Sequence, residues 1–342
     1  MIDLRSDTVT RPTADMRMAM ANAEVGDDVY QEDLTVHKLE ETAAQMLGKE
    51  AALLVTSGTQ GNQVAVLAQV RAGDEVIAEA DAHIFYYEVG AIAALAGAQT
   101  RTIAGVRGQM SLAAIGAAIR GENIHYPRTA LICLENTHNR AGGAILPVAY
   151  MQSVHELAHA HGVPVHLDGA RLFHAAVATG TPIADFAAAA DTVQICLSKG
   201  LGAPIGSLLL GTRELIERAR KWRKMLGGGM RQAGVIAAPG LIALTQMVDR
   251  LAQDHEKARR LAAGLAEIRG LTLDPALVET NIVIADVSGL ALSPAAFLAR
   301  LAECGVLATE FGAGTVRFVT HFDVSDADVD KTLSAVQAAA SA

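Results

Sequence analysis

The sequence predicts an α/β fold: a mostly parallel sheet carrying helices on both faces, with a smaller α+β unit after it. Three observations point there. Short apolar runs without polar alternation recur up to residue 211, the pattern of strands buried on both faces. Stretches with helical spacing separate them. After about residue 245 the texture changes to a long helical stretch followed by short strands and further helices.

The runs are "AALLVTS" (51–57), "DEVIAE" (74–79), "TALICLE" (129–135), "VPVHLD" (163–168), "DTVQICLS" (191–198) and "GSLLLG" (206–211). Between the third and fourth, "MQSVHELAHAHG" sets Met151, Val154, Leu157 and Ala158 at i, i+3, i+6 and i+7, with Gly162 as a stop and Pro164 beyond it. That is a βαβ unit. The alanine-rich "FAAAAD" (186–191) also reads as helix. From residue 247, "MVDRLAQDHEKARRLAAGLAEI" reads as one long helix, and "TNIVIADV" and "TVRFVTHF" as strands of the smaller unit. We therefore expect a large domain over 1–245 and a small C-terminal domain over 246–342. A chain of 342 residues with 51% hydrophobic content is long enough for both cores.

Composition narrows the class. A formal net charge of -9 argues against a nucleic-acid binder. No window approaches 18 uninterrupted apolar residues, and "MIDLRSDTVTRPT" has no apolar core of a signal peptide. A cytoplasmic protein without membrane association is expected. Cys133, Cys196 and Cys304 are odd in number and far apart, which suits reduced thiols rather than a disulfide framework.

In such sheets ligands bind beyond the carboxyl ends of the strands. Four polar features lie there. "TSGTQGN" (56–62) runs from a strand into a helix, so its amides, with Ser57, Gly58 and Thr59, can either cap the helix or hold a phosphate. His83 follows the second run, in the company of Phe85, Tyr86 and Tyr87. Asp168 ends the fourth run as either a helix N-cap or a site carboxylate. Lys199 follows the fifth run with no acid within seven residues on either side. A neighbouring carboxylate would favour its ammonium form, which cannot attack an aldehyde. One βα unit separates Asp168 from Lys199, so both leave the same sheet edge. A phosphate cradle, an acid and an isolated lysine together suit pyridoxal 5'-phosphate: the lysine bonds its aldehyde, the acid faces its pyridine nitrogen and the amides hold its phosphate.

Two other motifs carry less. "HELAH" (155–159) satisfies the H-E-x-x-H zinc pattern, and His166 falls one residue late for its extended form. A crossover helix with surface histidines explains it better than a zinc hydrolase, and no metal ligands are assigned. "GLGAPIG" (200–206) imitates a dinucleotide fingerprint, but its last gap is one residue too long and Pro204 interrupts it.

"DLRSDTVTRPT" (3–13), "GDDVYQED" (26–33), "SGTQGN" (57–62), "LENTH" (134–138), "HLDGAR" (166–171), "SKGLGAPIGS" (198–207), "GGGMRQAG" (227–234) and "TVRFVTHF" (315–322) together resemble the low-specificity L-threonine aldolases, within the β-eliminating lyases. The resemblance implies the aspartate-aminotransferase-like fold type I of pyridoxal-phosphate enzymes, with a seven-stranded sheet. It also implies cleavage of L-threonine, L-allo-threonine and other L-β-hydroxy-α-amino acids to glycine and an aldehyde. Lys199 matches the Schiff-base lysine, Asp168 the partner of the pyridine nitrogen, His83 the histidine stacked on the ring, and Ser57, Gly58 and Thr59 the phosphate turn. Arg171 matches an arginine near the cofactor's phenolic oxygen and the substrate carboxylate. Ser6 and Arg317 match the remaining carboxylate ligands, and His125 a second active-site histidine. The β-hydroxyl base is His83 or His125, directly or through an ordered water.

The basic "RKWRKMLGGGMRQ" (220–232) reaches a neighbouring subunit in similar proteins. By that likeness Lys224 and Arg231 complete a phosphate site across a dimer interface, in a tetramer built of two dimers. By periodicity the same helix turns Leu215, Ile216, Ala219 and Trp222 to the core. Within the same cofactor class, β-elimination from hydroxy or aromatic amino acids is the alternative reaction.

Overall fold

The computed structural model describes residues 1–341. Its strands are β1 (Ile2–Asp3), β2 (Ala51–Val55), β3 (Glu75–Glu79), β4 (Gln99–Ile103), β5 (Thr129–Glu135), β6 (Val165–Gly169), β7 (Thr192–Cys196), β8 (Ser207–Gly211), β9 (Ile282–Asp286), β10 (Val306–Leu307), β11 (Thr309–Glu310) and β12 (Thr315–Val319). Seven form the central sheet in the order β2-β8-β7-β6-β5-β3-β4. Only β8 runs against its neighbours; β3 to β7 pair in parallel. Each of the six apolar runs becomes one of these strands. The seventh, β4, lies at the sheet edge with partly exposed residues.

Register fixes what the carboxyl edge presents. Glu135 of β5 lies beside Asp168 of β6, and Asp168 beside Gln194 of β7. The helix Gly58–Gln69 packs so close to β7 that side chains are excluded: a Cβ at Gly61 would meet Gln194 Cγ at 2.7 Å, and one at Gly58 would meet Cys196 Sγ at 2.8 Å. The glycines of "SGTQGN" thus set how near the start of this helix comes to the strand that leads to Lys199.

Helix Val148–His159 buries Met151, Val154 and Ala158 on the sheet, the face its spacing predicts. Helix Arg213–Met225 likewise buries Leu215, Ile216 and Ala219, with Trp222 packed beside them. The main core joins Leu54, Ile77, Ile132, Leu167, Val193 and Leu208 across the sheet.

The second core lies around the antiparallel sheet β11-β12-β9 and gathers Leu261, Val283, Phe297, Leu301, Phe318 and Val336. Leu4 belongs to it, because β1 pairs in parallel with β10. The long helix read from residue 247 begins instead at Leu251 and runs to Ala266, at 71° to the preceding helix Gly234–Gln246. Leu251 packs in the main core, whereas Ala258, Leu261 and Leu265 pack in the second, so one helix joins both. Among the described residues no single helix is long and apolar enough to cross a membrane.

Candidate active site

Lys199 leaves the carboxyl end of β7, half-buried, on a loop that returns directly into β8. Gly202 and Gly206 hold φ of +80° and +106°, values an L side chain rarely adopts, and so turn the loop close to the sheet. The Lys199 carbonyl accepts from the Gly202 N–H at 2.9 Å and from the Thr10 hydroxyl at 3.0 Å. No helix follows "GLGAPIG", so the phosphate geometry of a dinucleotide fingerprint does not form.

Lys199 opens onto a cavity of about 310 Å³ lined also by Ser6, His83, Tyr87, Arg171 and Arg317. Five residues expected at the site therefore line one cavity, Lys199 from the edge of the large sheet and Arg317 from β12 of the small one. A wider cleft of about 1020 Å³ separates the amino terminus from the last helix; it holds Asp323, Asp328 and Asp330 but neither Lys199 nor Asp168. Size alone does not locate the chemistry.

Asp168 is buried at the end of β6, where its carboxylate accepts from the Asn62 amide at 2.8 Å and the Ala170 N–H at 3.1 Å. It does not cap the following helix, whose N-cap is Arg171. Asn62 donates its other amide hydrogen to Glu88 at 2.7 Å and accepts from His166 Nε2 at 3.0 Å. Burial pushes the His166 imidazole down to about 4, so near neutrality the ring is uncharged, with its proton on the nitrogen facing Asn62. Its Nδ1 then accepts from the Thr192 hydroxyl at 2.9 Å.

Glu88 also meets His83 Nδ1 at 3.0 Å and the Gln63 amide. Burial raises Glu88 above the ordinary carboxylate range. Burial opposes charging of His83 too, but its hydrogen bond to Glu88 and the charge of Asp168 outweigh that, so its affinity for a proton rises. With Glu88 ionised, His83 Nδ1 is the donor and Nε2 is the free ring nitrogen. The His83 backbone N–H is anchored separately, donating to Glu135 at 2.6 Å.

Arg171 is buried, and its guanidinium closes on Asp7 in a two-pronged contact of 2.6 and 2.8 Å. Asp7 also accepts from the Asn281 amide at 3.1 Å. Burial works against ionising Asp7, yet the charge and hydrogen bonds of Arg171 hold its carboxyl well below the usual range. Arg317, on β12, donates to Asn139 at 2.8 Å and to the Arg5 carbonyl at 3.0 Å, and it stacks on Phe311. Desolvation and the nearby Arg171 charge lower it to about 10, and its Nε has no partner among the described residues. Two adjoining guanidiniums, one with an unspent donor, face the cavity that Ser6 also lines.

The remaining expected residues fall elsewhere. Ser57 caps helix Gly58–Gln69 through the Gln60 N–H at 3.1 Å, which leaves Gly58 and Thr59 amides among the unpaired donors of a helix start. His125 is exposed in the turn before β5, at the amino edge of the sheet, so one chain does not bring it to its own cavity. Lys224 and Arg231 are also exposed and off the cavity; Arg231 pairs with Asp27 at 3.0 Å. Within the basic helix it is Arg223 that is buried, bound to Asp28 at 2.6 Å and to the Leu54 carbonyl. The zinc-hydrolase pattern is taken apart, because His166 is committed to Asn62 and Thr192 while Glu156 is exposed. Of the three aromatics, Tyr87 reaches the cavity, and its hydroxyl accepts from Arg140 at 3.1 Å.

Sequence reading missed Asp7, Asn62, Glu88 and Glu135. Their acid or amide character invites a surface assignment, yet all four are buried polar groups. Asp7, Asn62 and Glu135 lay within quoted motifs without a role; nothing local distinguished Glu88.

The donor set fits pyridoxal 5'-phosphate. It offers an amine for the aldehyde, a buried carboxylate for the ring nitrogen, an open helix start for the phosphate dianion and an imidazole on the wall. The open amides of Gly58 and Thr59 and the orphaned Nε of Arg317 are donors of the kind that phosphate and carboxylate groups satisfy.

Comparison with known proteins agrees with this arrangement. The family model for beta-eliminating lyases matches residues 3–288. The chain is 48% identical to low-specificity L-threonine aldolase 1 of Arabidopsis thaliana, over 99% of this chain and 96% of that protein. It is 43% identical to the low specificity L-threonine aldolase of Escherichia coli (strain K12), over 95% of each. Among solved structures, the Leishmania major threonine aldolase superposes with a TM-score of 0.83 at 22% identity, covering 99% of both chains.

Proposed function

The chain belongs to the beta-eliminating lyases, pyridoxal-phosphate enzymes of fold type I, and from that premise we propose that it cleaves L-threonine, L-allo-threonine and other L-β-hydroxy-α-amino acids to glycine and an aldehyde. The observation that carries this reading is the shared cavity: Lys199, His83, Arg171, Arg317 and Ser6 line one space. When bound, the cofactor supplies an electron sink for the pair released as the Cα–Cβ bond breaks.

The chain's own residues do the rest. Lys199 and Asp168 would hold the aldehyde and ring-nitrogen ends, with the Ser57–Thr59 turn on the phosphate. Arg171 and Arg317 orient the substrate carboxylate through charge-assisted hydrogen bonds, with Ser6 beside them. Orientation matters because only one rotamer of the substrate sets the breaking bond to overlap with the sink. His83 Nε2 takes the β-hydroxyl proton while Glu88 holds the opposite ring nitrogen and steadies the charge that develops. The carbon–oxygen bond becomes the carbonyl of the departing aldehyde. The proton that His83 has taken is returned to Cα, with the Lys199 amine on the same wall as its carrier, and glycine is complete.

His125, Lys224 and Arg231 serve a partner's site in this reading, which makes the working unit a dimer and the assembly a tetramer of two dimers. All three are exposed and lie off their own chain's cavity, which supports it. Buried thiols at Cys133 and Cys196 suit a reducing cytoplasm.

The test is a product assay on the holoenzyme with L-threonine and L-serine. Glycine and acetaldehyde from threonine, lost in Lys199→Ala together with the borohydride-reducible link to the protein, is the expected result. Release of a 2-oxo acid and ammonia as the main products would assign β-elimination instead and overturn the reading.

A further inference from the structure

The "HELAH" histidines do not assemble a hydrolase, but the fold gives them a different third partner. His155 and His159 are one turn apart on helix Val148–His159, their rings tilted by 35° with centroids 3.9 Å apart. Asp191, at the start of β7, reaches them from 32 residues further along the chain. His159 Nε2 lies 3.0 Å from both Asp191 oxygens, and His155 Nε2 lies 3.9 Å from Oδ2. One ligand atom from each residue fits within 4.8 Å of the others.

We propose that His155, His159 and Asp191 form a binding site for one zinc-class divalent cation, with water completing a tetrahedral shell. Bonds of about 2.1 Å around a tetrahedral ion separate ligand atoms by about 3.4 Å. The observed 3.0 and 3.9 Å bracket that spacing, so small side-chain rotations close the set. Two imidazoles and one carboxylate select zinc, cobalt or nickel over calcium or magnesium, which prefer all-oxygen shells. All three side chains keep solvent access, with side-chain exposures of 25%, 47% and 31% for His155, His159 and Asp191, so an ion can enter without unfolding.

The surroundings hold the carboxylate in place. Asp191 Oδ2 accepts the Val165 N–H at 2.7 Å, which anchors it to the start of β6. Lys49 opposes the ion by charge, but its ammonium is held on the Ala190 carbonyl at 2.6 Å. The site lies at the amino edge of β6 and β7, whereas Asp168 and Lys199 follow their carboxyl ends. A bound ion therefore ties the end of the crossover helix to the strand two places on. It stabilises the large sheet and takes no part in turnover.

The experiment is titration of chelator-treated holoenzyme with Zn²⁺ by calorimetry and with Co²⁺ by visible absorbance, followed by thermal unfolding. One equivalent per chain, a tetrahedral cobalt spectrum and a raised unfolding midpoint are expected. His159→Ala and His155→Ala should each weaken binding at least about tenfold and abolish the midpoint shift, and Asp191→Asn should do the same. Cys304→Ser, which removes the exposed thiol, should change neither. Turnover of threonine should be equal in wild type and all four variants, with or without chelator. His159 is on the surface and its removal leaves the core intact, so a folded His159→Ala protein that retains the equivalent would overturn the proposal, as would wild type that binds none.

Discussion

Replacing Asp7 with Asn removes one charge from a buried pair without changing its shape. In the native protein the Asp7 carboxylate receives two hydrogen bonds from Arg171 and one from Asn281. Removing one partner of a buried ion pair costs about 3–5 kcal/mol, because the other charge is left in a poorly solvating place. The Asn oxygen can still accept one Arg171 hydrogen bond, which offsets about 1 kcal/mol. A net loss of about 3 kcal/mol follows, or roughly a hundredfold in the folding constant. Guanidinium unfolding followed by far-UV circular dichroism measures it; Trp222, the single tryptophan, packs beside Leu215, Ile216 and Ala219 on the large sheet and reports that unit separately. The freed guanidinium should also seek another carboxylate. Glycine should thus bind and stabilise Asp7→Asn more than wild type, and KM for threonine should fall with it. A variant within about 0.5 kcal/mol of wild type, or one with unchanged KM and no extra stabilisation by glycine, would refute the role assigned to Asp7.

His83→Ala should lower kcat for threonine cleavage by about a hundredfold, the usual scale for general base catalysis, and near-wild-type turnover would remove His83 from that role. Asn62→Leu leaves Glu88 and Asp168 facing each other without their shared donor; a loss of about 3 kcal/mol and a higher proton affinity at His83, read by NMR titration of its ring, are expected. Acid should weaken the fold through its buried neutral histidines. His166 and His255 are pushed down to about 4 by burial, and burial lowers His174 as well. Such groups bind protons more readily when unfolded, so stability is complete above about pH 6.5 and falls as pH drops toward 4, by about 3 kcal/mol for His166 alone. Equilibrium unfolding of His166→Gln across that range should show a shallower acid limb; an unchanged slope would contradict it.

Six of the seven central strands are legible because burial on both faces leaves them unbroken apolar runs. Gln99–Ile103 is not: the other edge strand, Ala51–Val55, is buried, whereas this one leaves its residues partly exposed, and its Gln, Thr and Arg residues read as loop. Lys199, Asp168 and His83 are legible because a polar residue ending an apolar run can only sit at the sheet edge. Asn62 and Asp7 escape because their partners are 106 and 164 residues away, so no local pattern marks them. The break before Leu251 also escapes, as helical periodicity continues through it while the axis turns. His125, Lys224 and Arg231 entered through likeness alone, and one chain keeps them apart from its cavity.

The first ten residues bind parts of the chain that are synthesised much later, some of them nearly last. Ile2 pairs with Val306, the Arg5 carbonyl receives Arg317, Asp7 holds Arg171 and Asn281, and Thr10 steadies the Lys199 carbonyl. On the ribosome this segment emerges first, yet its partners in the small core appear only when synthesis is almost over. Contacts of such sequence separation form late and slowly. The large sheet can therefore collapse around its own strands well before the substrate side of the cavity closes. A nascent or truncated chain that lacks β12 lacks Arg317, and under the role proposed for that residue it stays inactive until synthesis is nearly complete.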